Sequence, residues 1–175
     1  MTFTNPEVDI AALPAAESVE LQPVHRRYLG LLRIEWAFTA LILAAIAAAL
    51  IYFIPSLRET GAWTLVAGAA LLLAGFYLLM IEKAFPNMGF AVREHDVLYQ
   101  SGWIVRTLRA CPFNRVQNSS VRSGPLERKA GLATLVLFTA GSAGADMQIP
   151  GLPQEEADRL RQFILAKIHT GRAES

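Results

Sequence analysis

The chain has 175 residues, a formal net charge of +1, and 53% hydrophobic residues with a mean hydropathy of +0.34. This is too apolar for an ordinary soluble domain of the same length, and the excess lies between Trp36 and Ile81. A single cysteine, Cys111, excludes an intramolecular disulfide and fits a reducing compartment.

Residues 1–24 are predicted to form a flexible acidic tail. They contain four acidic residues and three prolines but no lysine or arginine. A secretory signal peptide would need a basic start followed at once by an apolar run, so we expect the mature chain to begin at or near Met1.

Residues 25–84 are predicted to form a transmembrane helical hairpin. Two uncharged runs, at about 36–57 and 61–81, are each long enough to cross a hydrocarbon core of roughly 30 Å. The connection between them is so short that the two helices must be antiparallel. The soluble alternative, two buried core helices, would need a much larger protein around them.

The distribution of basic residues predicts the orientation of this hairpin. Arg26, Arg27 and Arg33 precede the first span and Lys83 follows the second, whereas Arg58 in the connection is offset by a glutamate. The positive-inside bias therefore predicts that both termini lie in the cytoplasm.

Three glycines recur every seventh residue near one face of the second span. We interpret them as a helix-packing face opposite an alanine-rich first helix, because small residues let two backbones approach closely. The alternative is a homo-oligomer or partner contact within the membrane. The glycines are Gly61, Gly68 and Gly75, and the alanines are Ala40, Ala44 and Ala48.

Residues 85–170 are predicted to form a cytoplasmic domain in which an antiparallel meander precedes one helix. Short segments rich in valine, leucine and aromatic residues alternate with turn signals at 95–96, 101–102, 123–125 and 140–144. A helix beginning at Pro153 should pack one apolar face on this sheet and end before Gly171, leaving 171–175 as a tail.

The central part of this domain is basic. Charges on strands are most often solvated, but close to a bilayer several of them would attract anionic lipid. Aromatic and basic residues are not interleaved as a groove for nucleic acid requires. The residues proposed to face lipid or a partner are Arg106, Arg109, Arg115, Arg122, Arg128 and Lys129.

No constellation for catalysis or metal binding is apparent in the sequence. Cys111 has no histidine in a supporting motif, and His25, His95 and His169 are dispersed without ligand spacing. We therefore expect no enzyme activity, no cofactor, no metal and no small-molecule substrate.

The order of these features resembles the bacterial pleckstrin-homology-like, membrane-flanked domain proteins of the YdbS-like kind. The resemblance covers residues 25–168 and implies a pleckstrin-homology-like barrel capped by its C-terminal helix, without enzyme activity. It also implies that the protein lies in the bacterial inner membrane. It is carried by Pro112 before Arg115-Val116-Gln117, by Gly124-Pro125-Leu126, by Arg128 before Gly131-Leu132, and by Thr139-Ala140-Gly141.

Three functions stay open at this point. The first is an interaction module that docks a protein partner or organises a membrane complex, which would need an exposed apolar surface or strand edge. The second is a peripheral sensor of anionic lipid, which would need arginines facing the bilayer. The third, a membrane-bound enzyme, lacks any residue to carry the chemistry.

Overall fold

The computed structural model describes residues 19–59, 61–139 and 147–173, with side chains left out at 57–58 and 169–173. One short strand precedes two long helices, and six further strands and a C-terminal helix follow them. The seven strands form two antiparallel sheets. The predicted class, a helical hairpin followed by a pleckstrin-homology-like domain with a C-terminal helix, is confirmed. Three predicted features lie outside the described residues: most of the acidic tail (1–18), the loop at 140–144 and the last two residues.

The hairpin consists of α1 (Arg27–Phe53) and α3 (Trp63–Ala84), joined through the short α2 (Pro55–Glu59). The first helix stops earlier than the predicted position 57. Proline lacks a backbone N–H and disfavours helical geometry in the residue before it, and Ile54 accordingly adopts an extended φ of −112°.

Small residues and a few polar links hold α1 against α3. Ala47 is buried at this contact, and the Trp36 indole Nε1–H donates to the Ala74 carbonyl at 2.8 Å. Near the foot of the hairpin, Arg33 forms an ion pair with Glu82 at 2.7 Å. The large apolar side chains point outward, as in Leu72, which is 76% exposed. Lipid is the solvent that such a surface fits.

The first sheet has the order β1-β2-β3-β4, and all its neighbours are antiparallel. Gln22–Pro23 corrects the predicted boundary of the tail, because these residues pair with β2, and Val24 beside them is buried. The strands are β1 (Gln22–Pro23), β2 (Gly89–Val92), β3 (Asp96–Ser101) and β4 (Thr107–Pro112). A 3₁₀ turn, Phe85–Asn87, joins α3 to β2.

The second sheet has the order β5-β6-β7 and supplies the largest share of the domain core. Its central strand is buried on both faces, and Leu135 is fully buried within it. The strands are β5 (Val116–Arg122), β6 (Leu132–Thr139) and β7 (Met147–Pro153).

The C-terminal helix α5 (Gln154–Ala173) covers the core through Ala157 and Ile164, both fully buried. It begins one residue after Pro153, which is the last residue of β7, and it continues through Gly171 instead of ending before it. The predicted amphipathic helix is therefore present with shifted ends.

Candidate functional site

The start of α1 is fixed against the domain by contacts with β7 and with β2. The His25 N–H donates to the Gly151 carbonyl at 3.0 Å, and the Tyr28 ring lies against Gly151. Gly151 has a φ of +71°, and an added Cβ would come within 2.8 Å of that ring. Only glycine satisfies both constraints. With β1 paired to β2, these contacts hold the domain in one pose beneath the hairpin.

A short helix, α4 (Pro125–Ala130), lies beside this foot of the hairpin. The Arg27 Nη1 donates to the Ala130 carbonyl at 3.4 Å, at the C-terminal end of α4. Gly131 follows with a left-handed φ of 70°, which lets the chain leave the helix. Arg128 and Lys129 are exposed on α4. Their charges are therefore held next to the first residues of α1.

The sequence predicted a turn at Gly124-Pro125, and the structure instead places the first turn of α4 there. Pro125 occupies the first helical position, where its missing N–H costs nothing. The Glu127 carboxylate accepts from the Gly124 N–H and from the Thr134 hydroxyl, each at 2.8 Å. These two bonds tie α4 to β6.

The proposed basic residues fall into separate groups and do not form one surface. Arg106 and Arg109 lie on the β3–β4 hairpin, where Arg109 pairs in register with Tyr99. Arg122 ends β5 opposite Thr134, whose hydroxyl donates to Glu127 of α4. Arg128 and Lys129 lie on α4 itself. Arg115 stands apart, in the 3₁₀ turn that follows Pro112. All six side chains belong to exposed residues.

Apolar residues at the turn between β3 and β4 are exposed, and sequence reasoning did not select them. Trp103, Ile104 and Val105 are 39%, 73% and 74% exposed. Leu108, at the start of β4, is 38% exposed. The sequence pattern that could have indicated this exposed turn is the run Trp-Ile-Val next to a Ser-Gly turn. The same pattern is equally typical of the start of a buried strand.

The electrostatics of this sheet differ between its two ends. Burial raises the pKa of the Tyr99 phenol, while its hydrogen bond with Ser101 and the charge of Arg109 act in the opposite direction. At the other end, Arg93 pairs with Asp96 through two hydrogen bonds, and this bonding raises the pKa of the guanidinium. Tyr99 therefore stays a neutral phenol, and Asp96 is committed to Arg93.

The cysteine thiol and the His25 imidazole are not arranged as a catalytic or metal-binding site. Cys111 is buried in the domain core, and the His25 Nδ1 accepts from the Arg27 N–H at 3.1 Å. Within the part of the chain that the structure describes, no three histidine, cysteine, aspartate or glutamate side chains converge as a metal site would require.

The glycine face of the hairpin is not where the two helices meet. Gly61 lies before α3 with a φ of +71°, so it belongs to the connection and not to the span. A Cβ added at Gly68 or Gly75 would meet no atom within 4 Å. The structure thus contradicts the hairpin-packing interpretation for these glycines. It also contradicts it for Ala44 and Ala48, which are exposed, whereas Ala47 is buried.

Comparison with known proteins now identifies the family. The family model of the bacterial PH domain matches residues 11–168. This chain belongs to the bacterial PH domain family. It is 32% identical over 141 residues to the UPF0699 transmembrane protein YdbS of Bacillus subtilis (strain 168), covering 76% of this chain and 87% of that protein. No solved structure matches the chain.

Family membership and the two apolar helices together make this a membrane protein. Both helices are long enough to cross a bilayer, and only 6% of the most apolar window of each is buried within the protein. A core helix of a soluble protein would be mostly buried. The bacterial PH domain is therefore carried on a transmembrane hairpin.

Proposed function

We propose that the protein is a non-enzymatic interaction module of the bacterial inner membrane, whose cytoplasmic domain docks a protein partner along the edge of β4. One observation carries this proposal: β4 is an edge strand whose first four residues are all exposed. In the described residues, β3 is its only strand neighbour.

An exposed edge strand favours strand addition by a partner. It presents backbone N–H and C=O groups that an extended segment of another chain can pair with. Charged residues usually protect such edges from self-association, and Arg106 and Arg109 serve this purpose here.

Site-specific photocrosslinking in cells tests the docking proposal. A photoreactive amino acid at Arg109 should give a discrete adduct, whereas the same group at Gln162, exposed on α5, should give none. Ala110→Pro should remove the adduct, because proline cannot donate along the edge. Equal labelling at both positions, or no adduct at Arg109, would contradict the proposal. An adduct of twice the chain mass would identify the partner as a second copy.

The proposed orientation places both termini in the cytoplasm. It is supported by Arg26, Arg27 and Lys83 at the foot of the hairpin, where the positive-inside bias favours the cytoplasmic side. A reporter that works only in the cytoplasm should be active when it is fused after Ser175. Activity of a reporter that works only outside the cytoplasm would overturn the orientation and the reducing environment assigned to Cys111.

A second function, recognition of anionic lipid, is supported by the position of α4 at the start of α1. In detergent, a short-chain phosphatidylglycerol should raise the unfolding temperature of the full chain, and salt should diminish the effect. Arg122→Gln, Arg128→Gln and Lys129→Gln together should abolish it. Arg115→Gln with Arg159→Gln, which removes charges elsewhere, should not. An equal effect from phosphatidylcholine would remove this function.

A further inference from the structure

Exposed apolar residues of the domain cluster at the β3–β4 tip, which we define as residues 102–106. Among the described residues outside the long helices and their connection, the large apolar side chains that are exposed are Trp103, Ile104, Val105, Leu108 and Phe163. Phe163 is on α5 and packs its ring edge-on against Phe113. Three of the other four are consecutive in the tip, and Leu108 follows in β4. A contiguous exposed apolar patch marks an interaction site.

The register of the sheet places this tip at the end where α3 arrives. Gly89, the first residue of β2, pairs with Gln100, which in turn pairs with Leu108. Because β2 runs away from the 3₁₀ turn after α3, the tip extends past Gly89 in the opposite direction. It therefore lies at the membrane end of the sheet, and the Arg93–Asp96 turn lies at the other end.

The tip extends from the sheet back toward the level of the bilayer. From Glu82 to Gly89 the chain continues through helical and 3₁₀ residues, which cover about 13 Å at most. From Gln100 the strand stays extended only as far as Ser101, at roughly 3.3 Å per residue, and residues 102–105 then bend, so the tip recovers part of this distance. The contacts of His25 and Tyr28 with Gly151 keep the sheet at this distance from the hairpin.

The turn is held in one shape that keeps its apolar side chains outward. Gly102 has a φ of +103°, and a Cβ at this position would clash with the Val105 carbonyl oxygen. Only glycine permits this close return of the chain. Trp103, Ile104 and Val105 are thereby presented on a preformed loop.

The residues next to the tip complete a pattern that suits a membrane interface. Arg106 and Arg109 follow the apolar residues and are exposed. Tryptophan prefers the headgroup level of a bilayer, and arginine side chains attract lipid phosphates. Such a combination of apolar and basic residues is typical of segments that insert shallowly into the headgroup and acyl boundary.

We propose that Trp103, Ile104 and Val105 insert into the interfacial layer of the same bilayer that the hairpin spans, with Arg106 and Arg109 on lipid phosphates. The domain then has three attachments to the membrane, namely α1, α3 and the tip. This contact does not depend on the docking of a partner at β4, nor on which side of the membrane the domain occupies.

A nitroxide spin label on the full chain tests the insertion. Ile104→Cys is labelled and the protein is reconstituted in bilayers of phosphatidylcholine with phosphatidylglycerol. The matched control is Glu94→Cys, an exposed position in the turn at the opposite end of the sheet. Cys111 is 4% exposed, so the wild-type protein serves as the labelling blank.

The label at position 104 should collide with oxygen several-fold more, relative to a water-soluble nickel chelate, than the label at position 94. Arg106→Glu with Arg109→Glu should reduce this difference, since the new carboxylates are repelled by anionic headgroups. A label at 104 that is as accessible to nickel as the label at 94 would overturn the proposal. Protection at 104 that arises only after a protein is added would equally overturn it and assign the tip to a partner.

Discussion

The leucines of the hairpin are mostly exposed, whereas those of the domain core are buried. Leu72 of α3 is 76% exposed, whereas Leu135 of β6 is fully buried. The hydrophobic effect therefore folds the domain, while the hairpin depends on close contact of small residues and on polar links such as Trp36 to Ala74. The β3–β4 tip is the part of the domain that resembles the hairpin, because its large apolar side chains are exposed.

The largest expected effect is on the domain core. Leu135→Ala should lower the free energy of unfolding of the domain by about 4 kcal/mol, because it removes buried surface and leaves a cavity in the central strand. Leu72→Ala is the matched change in the hairpin and should alter stability by less than about 1 kcal/mol, since its side chain meets lipid. Thermal unfolding in detergent compares the two. Similar losses would show that the hairpin also has a buried apolar core.

The second comparison uses two glycines with the same φ. Gly151 and Gly61 both have a φ of +71°, but only Gly151 has a neighbouring ring at 2.8 Å. Gly61→Ala should cost about 1 kcal/mol from backbone strain alone. Gly151→Ala should cost about 3 kcal/mol, because the Cβ also displaces Tyr28.

Limited proteolysis of the Gly151→Ala protein should, in addition, detect release of the domain from the hairpin. Equal costs for Gly61→Ala and Gly151→Ala would mean that the contact with Tyr28 adjusts freely. The contact between Tyr28 and Gly151 would then not fix the position of the domain relative to the hairpin.

The third comparison concerns the contact between α1 and α3. Ala47→Leu should destabilise the hairpin by about 2 kcal/mol, because Ala47 is buried where the helices touch. Gly68→Leu and Gly75→Leu should leave the stability of the monomer unchanged, since their Cβ positions are open. Unfolding in detergent measures the stability, and light scattering measures the assembly size. A smaller assembly with either glycine variant would instead support an oligomer contact at this face.

The smallest effect is expected at the link between α4 and the sheet. Glu127→Ala should cost about 1 kcal/mol, because the Gly124 N–H and the Thr134 hydroxyl each lose a partly buried acceptor. Glu155 is the control: it faces Arg159 in an exposed pair at 3.7 Å, and Glu155→Ala should change stability by less than about 0.5 kcal/mol. If both changes are neutral, the capping bonds of α4 contribute nothing to the fold.

Local patterns in the sequence determined most of the architecture. The uncharged runs predicted both membrane helices, and alternation with turn residues predicted the strands from β2 to β7, because hydrophobic periodicity reports directly which face of an element is buried. The apolar face and acidic start of α5 were also apparent, although its ends were misplaced by the extension of β7 to Pro153 and of the helix to Ala173.

Contacts between distant segments decided the rest. Gln22–Pro23 is too short and too polar to predict as a strand, and it is one only because β2 offers an edge. Gly131 was selected from the family motif, whereas the need for glycine at 151 arises solely from the ring of Tyr28. Whether Gly68 faces the partner helix, and whether Trp103 to Val105 are covered, depends on the relative placement of whole elements. The period of one segment carries no information about that placement.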